Sequence, residues 1–333
     1  MRRNLMRGIV SFMLAIVASL FLQVSFLAPG QIALASEVNT GTTPASSSVV
    51  SSPTAPATSA EASVEPSPTV MPFTAPVSDT QYGDAIYLNG QRGDDTKDGL
   101  TEESAVKSFE KAKELARKHK SIKTIYVCGT TQISGEISLK GTNAILMRAE
   151  GFKGYLLEIK GKEATLSDIT IDGNKDKVDA NKASIYVSSS SLTIKEGAVL
   201  RNNKNVPIKK SPANGGAIQT YSSKLILNGG LIEDNQATNG GGIYLYERTT
   251  MVFKSGEVKN NHAIRFYDPD LQLNLAAGGG ICVDNSSSLE INSDNALILN
   301  NSSDEIGGGV SLGTQQNEPA SYLKMTGGIV SKK

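Results

Sequence analysis

A chain of 333 residues with 39% hydrophobic residues, only 5% aromatic, no Trp and 32 Gly must bury an aliphatic core and make many tight turns, a composition that suits β-structure. Lys plus Arg and Asp plus Glu balance at 33 each, so no long-range field draws the chain to nucleic acid or to an anionic membrane surface.

Residues 1–35 have the pattern of a secretory signal. Arg2, Arg3 and Arg7 precede an apolar run from Gly8 to Leu27, Pro29 and Gly30 break it, and Ala33-Leu34-Ala35 offers a small-residue cleavage site. The mature chain is expected to begin near Ser36 in a secreted or surface-displayed protein, touching the membrane only through this leader if it stays uncleaved. Residues 36–81 are dominated by Ser, Thr, Ala and Pro and hold no Lys or Arg. Such a stretch cannot bury enough apolar surface to offset the entropy of ordering it, and is expected to be an extended, disordered spacer.

Order is expected from Tyr82. A short strand around "AIYL" leads through the turn "GDDTKDG" into a helix over about 102–119, with Ser104 as N-cap and Ala105, Phe109, Ala112, Leu115 and Ala116 on one face. That helix can cap a stack of strands by covering its apolar interior and unpaired edge. The turn has aspartates at Ca²⁺-loop spacing, but Thr96 and Ala105 occupy positions where such a loop needs ligands, so no metal site is expected. Short strands follow at 125–127, 137–139, 144–147, 156–159 and 166–171.

From about residue 184 a two-part repeat is legible. One part is a Gly corner leading to apolar-x-apolar: Gly215-Gly216 open "GGAIQT", Gly240-Gly241 "GGGIYL", Gly278-Gly279 "GGGICV" and Gly307-Gly308 "GGGVSL". The other runs apolar-x-apolar, Gly, apolar, Asn. It aligns without a gap as Leu192-Ile194-Gly197-Val199-Asn202, Leu225-Leu227-Gly230-Ile232-Asn235 and Met251-Phe253-Gly256-Val258-Asn261. A fourth copy starts at Leu289 and reaches Ile298 and Asn301 after a two-residue insertion; a fifth runs from Leu323 to Val330.

Period-two apolar pairs describe short strands with one face inward. No single repeat can bury that face, so equivalent repeats must stack into parallel ladders around one core. The expected fold is all-β, a right-handed parallel β-helix over residues 82–333 with an N-terminal capping helix. In it the glycines are structural corners, and Asn202, Asn235, Asn261 and Asn301 form a ladder of side-chain amides along the stack. The segment 262–277 is expected to loop out, and Cys128 and Cys282, several repeats apart, to stay unpaired.

The half-motifs "GGAI" and "IEDN" or "VKNN" resemble the repeats of chlamydial polymorphic outer-membrane proteins and related β-helical adhesins. Where that family usually has Phe, this chain has Val199, Ile232, Val258 and Ile298. The segment "YLNGQRGDDTKDGLTEESAVKSFEKA" resembles the one that opens many bacterial pectin-lyase-like β-helix proteins. These resemblances cover roughly 82–333; they imply the fold strongly and function weakly, because the fold hosts lyases, hydrolases and binding proteins alike.

For chemistry, Asp168 and Asp172 are expected to point outward about 13 Å apart, too far for a paired-carboxylate glycosidase. His119 and His262 have no partner visible in sequence. No catalytic residue, metal or cofactor is therefore assigned. An outward row of Tyr186, Gln219, Tyr244, Cys282 and Ser311, flanked by Tyr221 and Tyr246, is instead expected to present tyrosines to a carbohydrate or a surface protein. The expected function is non-catalytic binding or adhesion, with a polysaccharide lyase or glycoside hydrolase as the alternative. The last repeat carries no cap of its own, so a downstream region or another chain is expected to cover that end.

Overall fold

The computed structural model describes residues 82–270, 272–313 and 319–332; the expected signal and spacer segments at 1–35 and 36–81 lie outside them. The described chain is mostly β, with a single helix, α1 (Phe109–Lys118), and strands that run parallel in long sheets.

In the large sheet, Ala85–Asn89, Thr124–Gly129, Ile145–Arg148, Ile169–Asp172 and Ala198–Arg201 pair in succession. A second row of it holds Gly135–Ile137, Glu163–Leu166 and Ser191–Lys195, and the two rows join at the long strands Lys224–Glu233 and Thr250–Lys259. A seven-stranded sheet contains Thr131–Gln132, Leu157–Lys160, Ile185–Ser188, Ile218–Tyr221, Ile243–Leu245, Ile281–Val283 and Val310–Leu312. A three-stranded sheet contains Gln236–Ala237, His262–Ala263 and Ser302–Ser303.

Register turns the sequence period into a core. Ile125, Leu146, Ile171, Leu200, Ile232, Val258 and Ile298 pair successively and are all buried. Burying each such side chain contributes about 1.5–3 kcal/mol. The next residue in this row, Val330, pairs with Ile298 but is 41% exposed, as are the neighbouring Met325 and Ile329 to similar degree. Among the described residues the row is thus covered on both sides as far as Ile298.

Gly215, Gly240, Gly278 and Gly307 all have φ between +62° and +70°, a region that L side chains resist. Their neighbours stack so closely that a Cβ on Gly241 would lie 2.5 Å from the Gly279 carbonyl oxygen.

The structure corrects three expectations. The helix begins at Phe109, not near 102, because Val106 is bonded to the first strand like an added strand (Val106 N–H to Tyr87 O, 3.0 Å; Asn89 N–H to Val106 O, 2.8 Å). Asp95 Oδ1 then accepts the Lys107 and Ser108 N–H groups, and Ser108 rather than Ser104 is the N-cap, its Oγ accepting from Lys111 N at 3.1 Å. The strand expected at 166–171 divides at Ser167-Asp168, where Asp168 turns at φ 45°.

The third correction concerns the Asn ladder. Leu192 pairs with Leu225, but Val199 pairs with Leu231, so that repeat carries one extra residue at its Glu196-Gly197 corner. Leu200 and Asn203, not Val199 and Asn202, take the inward and ladder positions. The ladder runs from Asn203 N–H to Asn235 Oδ1, from Asn235 to Asn261 Oδ1, and from Asn261 to Asn301 Oδ1, at 2.9–3.0 Å. Asn202 lies outside it at φ 54°, donating Nδ2 to Asp172.

Beyond Asn203 the ladder meets Arg148, whose side chain is wholly buried. Arg148 Nη2 donates to Asn203 Oδ1 at 2.8 Å, and Nη1 donates to the Phe152 and Gly154 carbonyl oxygens. Among the described residues no carboxylate pairs with it, and burial lowers its pKa to about 10.

Candidate functional site

Outward positions of the seven-stranded sheet form one row: Gln132, Glu158, Tyr186, Gln219, Tyr244, Cys282 and Ser311. The expected succession from Tyr186 to Ser311 is therefore in register. Two residues on, Lys160, Ser188 and Tyr221 make a second row, and Tyr246 leans against Tyr221 with ring centroids 6.1 Å apart. Tyr186 stacks at 4.9 Å on Tyr155, whose hydroxyl donates to Gln219 Oε1 at 2.9 Å and whose ring lies 5.4 Å from Lys182 Nζ. Tyr155 gives no periodic signal in sequence, because Leu156 and Leu157 after it are both buried.

The five tyrosines differ in access. Tyr221 is 42% exposed, and Tyr186 and Tyr246 are half-buried. Tyr244, expected to be exposed, is only 4% exposed: it stacks on Tyr246 at 5.6 Å and donates its hydroxyl to Asp284 Oδ2 at 2.9 Å. It supports the aromatic strip from beneath and offers no contact surface. Cys282 beside it is buried, and burial pushes its thiol up to about 12, so it stays an inert thiol near neutral pH. Neither Cys282 nor Cys128 is bridged.

Burial also raises the Tyr155 hydroxyl well above its ordinary range, and raises Tyr244 with help from the Asp284 charge. In the unfolded chain both ionise near pH 10 while the folded chain keeps its protons. A raised folded pKa gives stability that is complete below the unfolded pKa and is lost as pH rises through the folded value. These two groups are expected to make stability fall above about pH 10, with a shallower fall in Tyr244→Phe, read from urea midpoints at pH 9 and 11.

Comparison with protein families, curated proteins and solved structures returns no match to this chain. Residue geometry must carry the functional reading.

The acidic candidates are engaged elsewhere. Asp172 is 4% exposed and accepts from Arg201 Nε at 2.9 Å, Asn202 Nδ2 at 3.1 Å and Asn174 N–H at 2.9 Å, so it is not the solvent-facing carboxylate expected. Asp168 lies 3.8 Å from Lys140. In the turn at 93–99, Asp94 accepts from Thr96 and Asp98 from Leu100, each closing its own loop. A cleft of about 670 Å³ lies between the start of α1 and the first strands of the seven-stranded sheet, with Asp95, Lys107, Glu110, Gln132 and Glu158 in its wall. It continues directly from the row that holds the tyrosines.

His262 has partners that its sequence neighbourhood does not reveal. Its Nδ1 lies 2.8 Å from Ser302 Oγ and its Nε2 3.3 Å from Asp304 Oδ1. Stacking of the strands His262–Ala263 and Ser302–Ser303 brings these groups together.

Proposed function

We propose that the chain is a right-handed parallel β-helix, exported to the cell surface or medium, whose seven-stranded face binds an elongated carbohydrate or a surface protein. The reading is carried by the aromatic strip: Tyr186 and Tyr221 lie on adjacent strands of a parallel sheet, Tyr155 and Tyr246 flank its strands, and the rings are fixed by stacking and by the buried Tyr244. Rigid amphipathic rings of this kind supply contact area with little side-chain entropy to lose. A single row of strands spaced about 4.8 Å apart repeats its contacts along the sheet, which suits a polymer with repeating units.

Affinity electrophoresis of the full chain in gels of neutral and anionic polysaccharides tests this. Retardation by at least one polymer is expected, with Tyr221→Ala binding about tenfold more weakly and losing little stability, since its ring is exposed. Equal retardation of Tyr221→Ala removes the strip as the site.

A second reading, polysaccharide cleavage, is favoured by the cleft and its carboxylates Asp95, Glu110 and Glu158. Against it, Asp95 is spent on two backbone amides and Glu158 lies 2.9 Å from Lys160. Release of new reducing or unsaturated ends from the same panel would favour cleavage.

A further inference from the structure

The geometry points to a second site on another face: Ser302, His262 and Asp304 form a hydrolytic triad that cleaves esters of short carboxylic acids. Its warrant is independent of the tyrosine strip. Asp304 Oδ1 lies at ion-pair distance, 3.3 Å, from His262 Nε2, and a carboxylate that can only accept favours the tautomer with its ring proton on that nitrogen. Nδ1 then presents a lone pair, and the 2.8 Å contact from Ser302 Oγ is an O–H donated to a base. Asp304 is itself held, since its Oδ2 accepts the Arg265 N–H at 2.8 Å. A nucleophile, a base and a group orienting that base thus occur in sequence order His, Ser, Asp, recognised by geometry and not by position in the chain.

An oxyanion donor is available beside them. Ser302 and Asp304 give their N–H groups to Asn261 O and Ala263 O, both at 3.0 Å. Successive amides of a strand alternate in direction, so the Ser303 N–H points to the other edge. Among the described residues Ser302–Ser303 is the outermost strand of its sheet, and none of those residues accepts that N–H. The amide after the nucleophile is the position from which serine hydrolases stabilise the tetrahedral intermediate. The His262 and Asp304 side chains are 30% and 37% exposed, an open corner that admits a substituent displayed on a larger molecule.

The reaction balances with water as co-reactant. Ser302 Oγ adds to the ester carbonyl carbon as its proton passes to His262 Nδ1, and the oxyanion turns toward Ser303 N–H. The bond to the alcohol oxygen breaks as that oxygen takes the proton from His262. Water repeats the sequence on the acyl-serine, releasing the carboxylic acid and restoring Ser302. The competing account is a plain polar stack: Gln236, His262 and Ser302 share one row by register, and the His262–Ser302 contact merely satisfies those two side chains.

A fluorophosphonate probe applied to the full chain distinguishes the two, with adducts mapped by peptide mass spectrometry and p-nitrophenyl acetate turnover measured in parallel. One adduct at Ser302 is expected, absent in Ser302→Ala and formed at least about 10²-fold more slowly in His262→Gln. Asp304 is a positioning residue, so Asp304→Asn should slow labelling and Asp304→Glu should restore part of the rate. No adduct, an adduct at a different serine, or a His262→Gln rate equal to that of the unsubstituted chain overturns the proposal. These half-exposed side chains can be replaced without emptying the core, and an unchanged urea midpoint shows that each variant is folded.

Discussion

Asn261→Ala is expected to lower the free energy of unfolding by about 3–4 kcal/mol, near the upper end for a single polar substitution. The Asn261 side chain is fully buried, and the two hydrogens of its Nδ2 are shared among three acceptors, Ile232 O at 2.9 Å, Lys259 O at 3.0 Å and Asn301 Oδ1 at 3.0 Å. Its Oδ1 accepts from both the backbone N–H and the Nδ2 of Asn235 at 3.0 Å. One truncation therefore strands donors and acceptors in two neighbouring repeats, where water cannot replace the lost partner. Leaving each buried group unpaired costs about 1–3 kcal/mol, which outweighs the roughly 1 kcal/mol of a single net hydrogen bond. Asn292→Ala, at an exposed corner, should change stability by less than about 0.5 kcal/mol. Urea unfolding of both variants checks the contrast; similar midpoints would mean that the ladder contributes nothing specific.

The ladder also shows what a sequence pattern can and cannot specify. Asn235, Asn261 and Asn301 were legible because each closes a repeat whose apolar pairs are in phase. Asn203 was not, because the extra residue at Glu196-Gly197 is silent when two asparagines stand side by side and either satisfies the pattern. Periodicity gave the inward columns and parallel stacking for the same reason, since a one-residue slip would send every apolar side chain to solvent. The start of α1 was hidden because the pairing of Val106 with the first strand is a tertiary event that local propensity does not encode.

Function was less legible than fold. The tyrosine row could be read from spacing, but the covering of Tyr244 by Tyr246 and Asp284 depends on side-chain directions within and between strands. The contact of His262 with Ser302 joins residues 40 positions apart. One signal was present: Gln236, His262 and Ser302 each follow a ladder asparagine, so aligning the asparagines already places these three in one row. What alignment does not give is the lean of Asp304 toward the ring, which needs its own backbone turn and the Arg265 amide.

Arg148 is the other position where one change should have a large effect, and two replacements separate its causes. Burial lowers its pKa from 12.5 to about 10, a penalty on the order of 3 kcal/mol against the charged form, and its Nε finds no acceptor. The guanidinium persists there because it serves three oxygens at once, those of Phe152, Gly154 and Asn203. Arg148→Ala removes those donors and leaves a void the size of the side chain, and is expected to cost about 4 kcal/mol or more. Arg148→Met strands the same oxygens but fills most of the void and abolishes the desolvated charge, so its cost should be only about 1–2 kcal/mol. If stability in urea falls equally for both, the bonds to the oxygens dominate over packing and charge. Because Asn203 passes the contact into the ladder, Arg148→Met and Asn203→Ala should be non-additive, with a coupling of at least about 0.5 kcal/mol in a double-mutant cycle. A buried cation with no counter-ion among the described residues is then best understood as the terminal donor of the Asn ladder, supplying the hydrogen bonds that a further asparagine supplies at every later repeat.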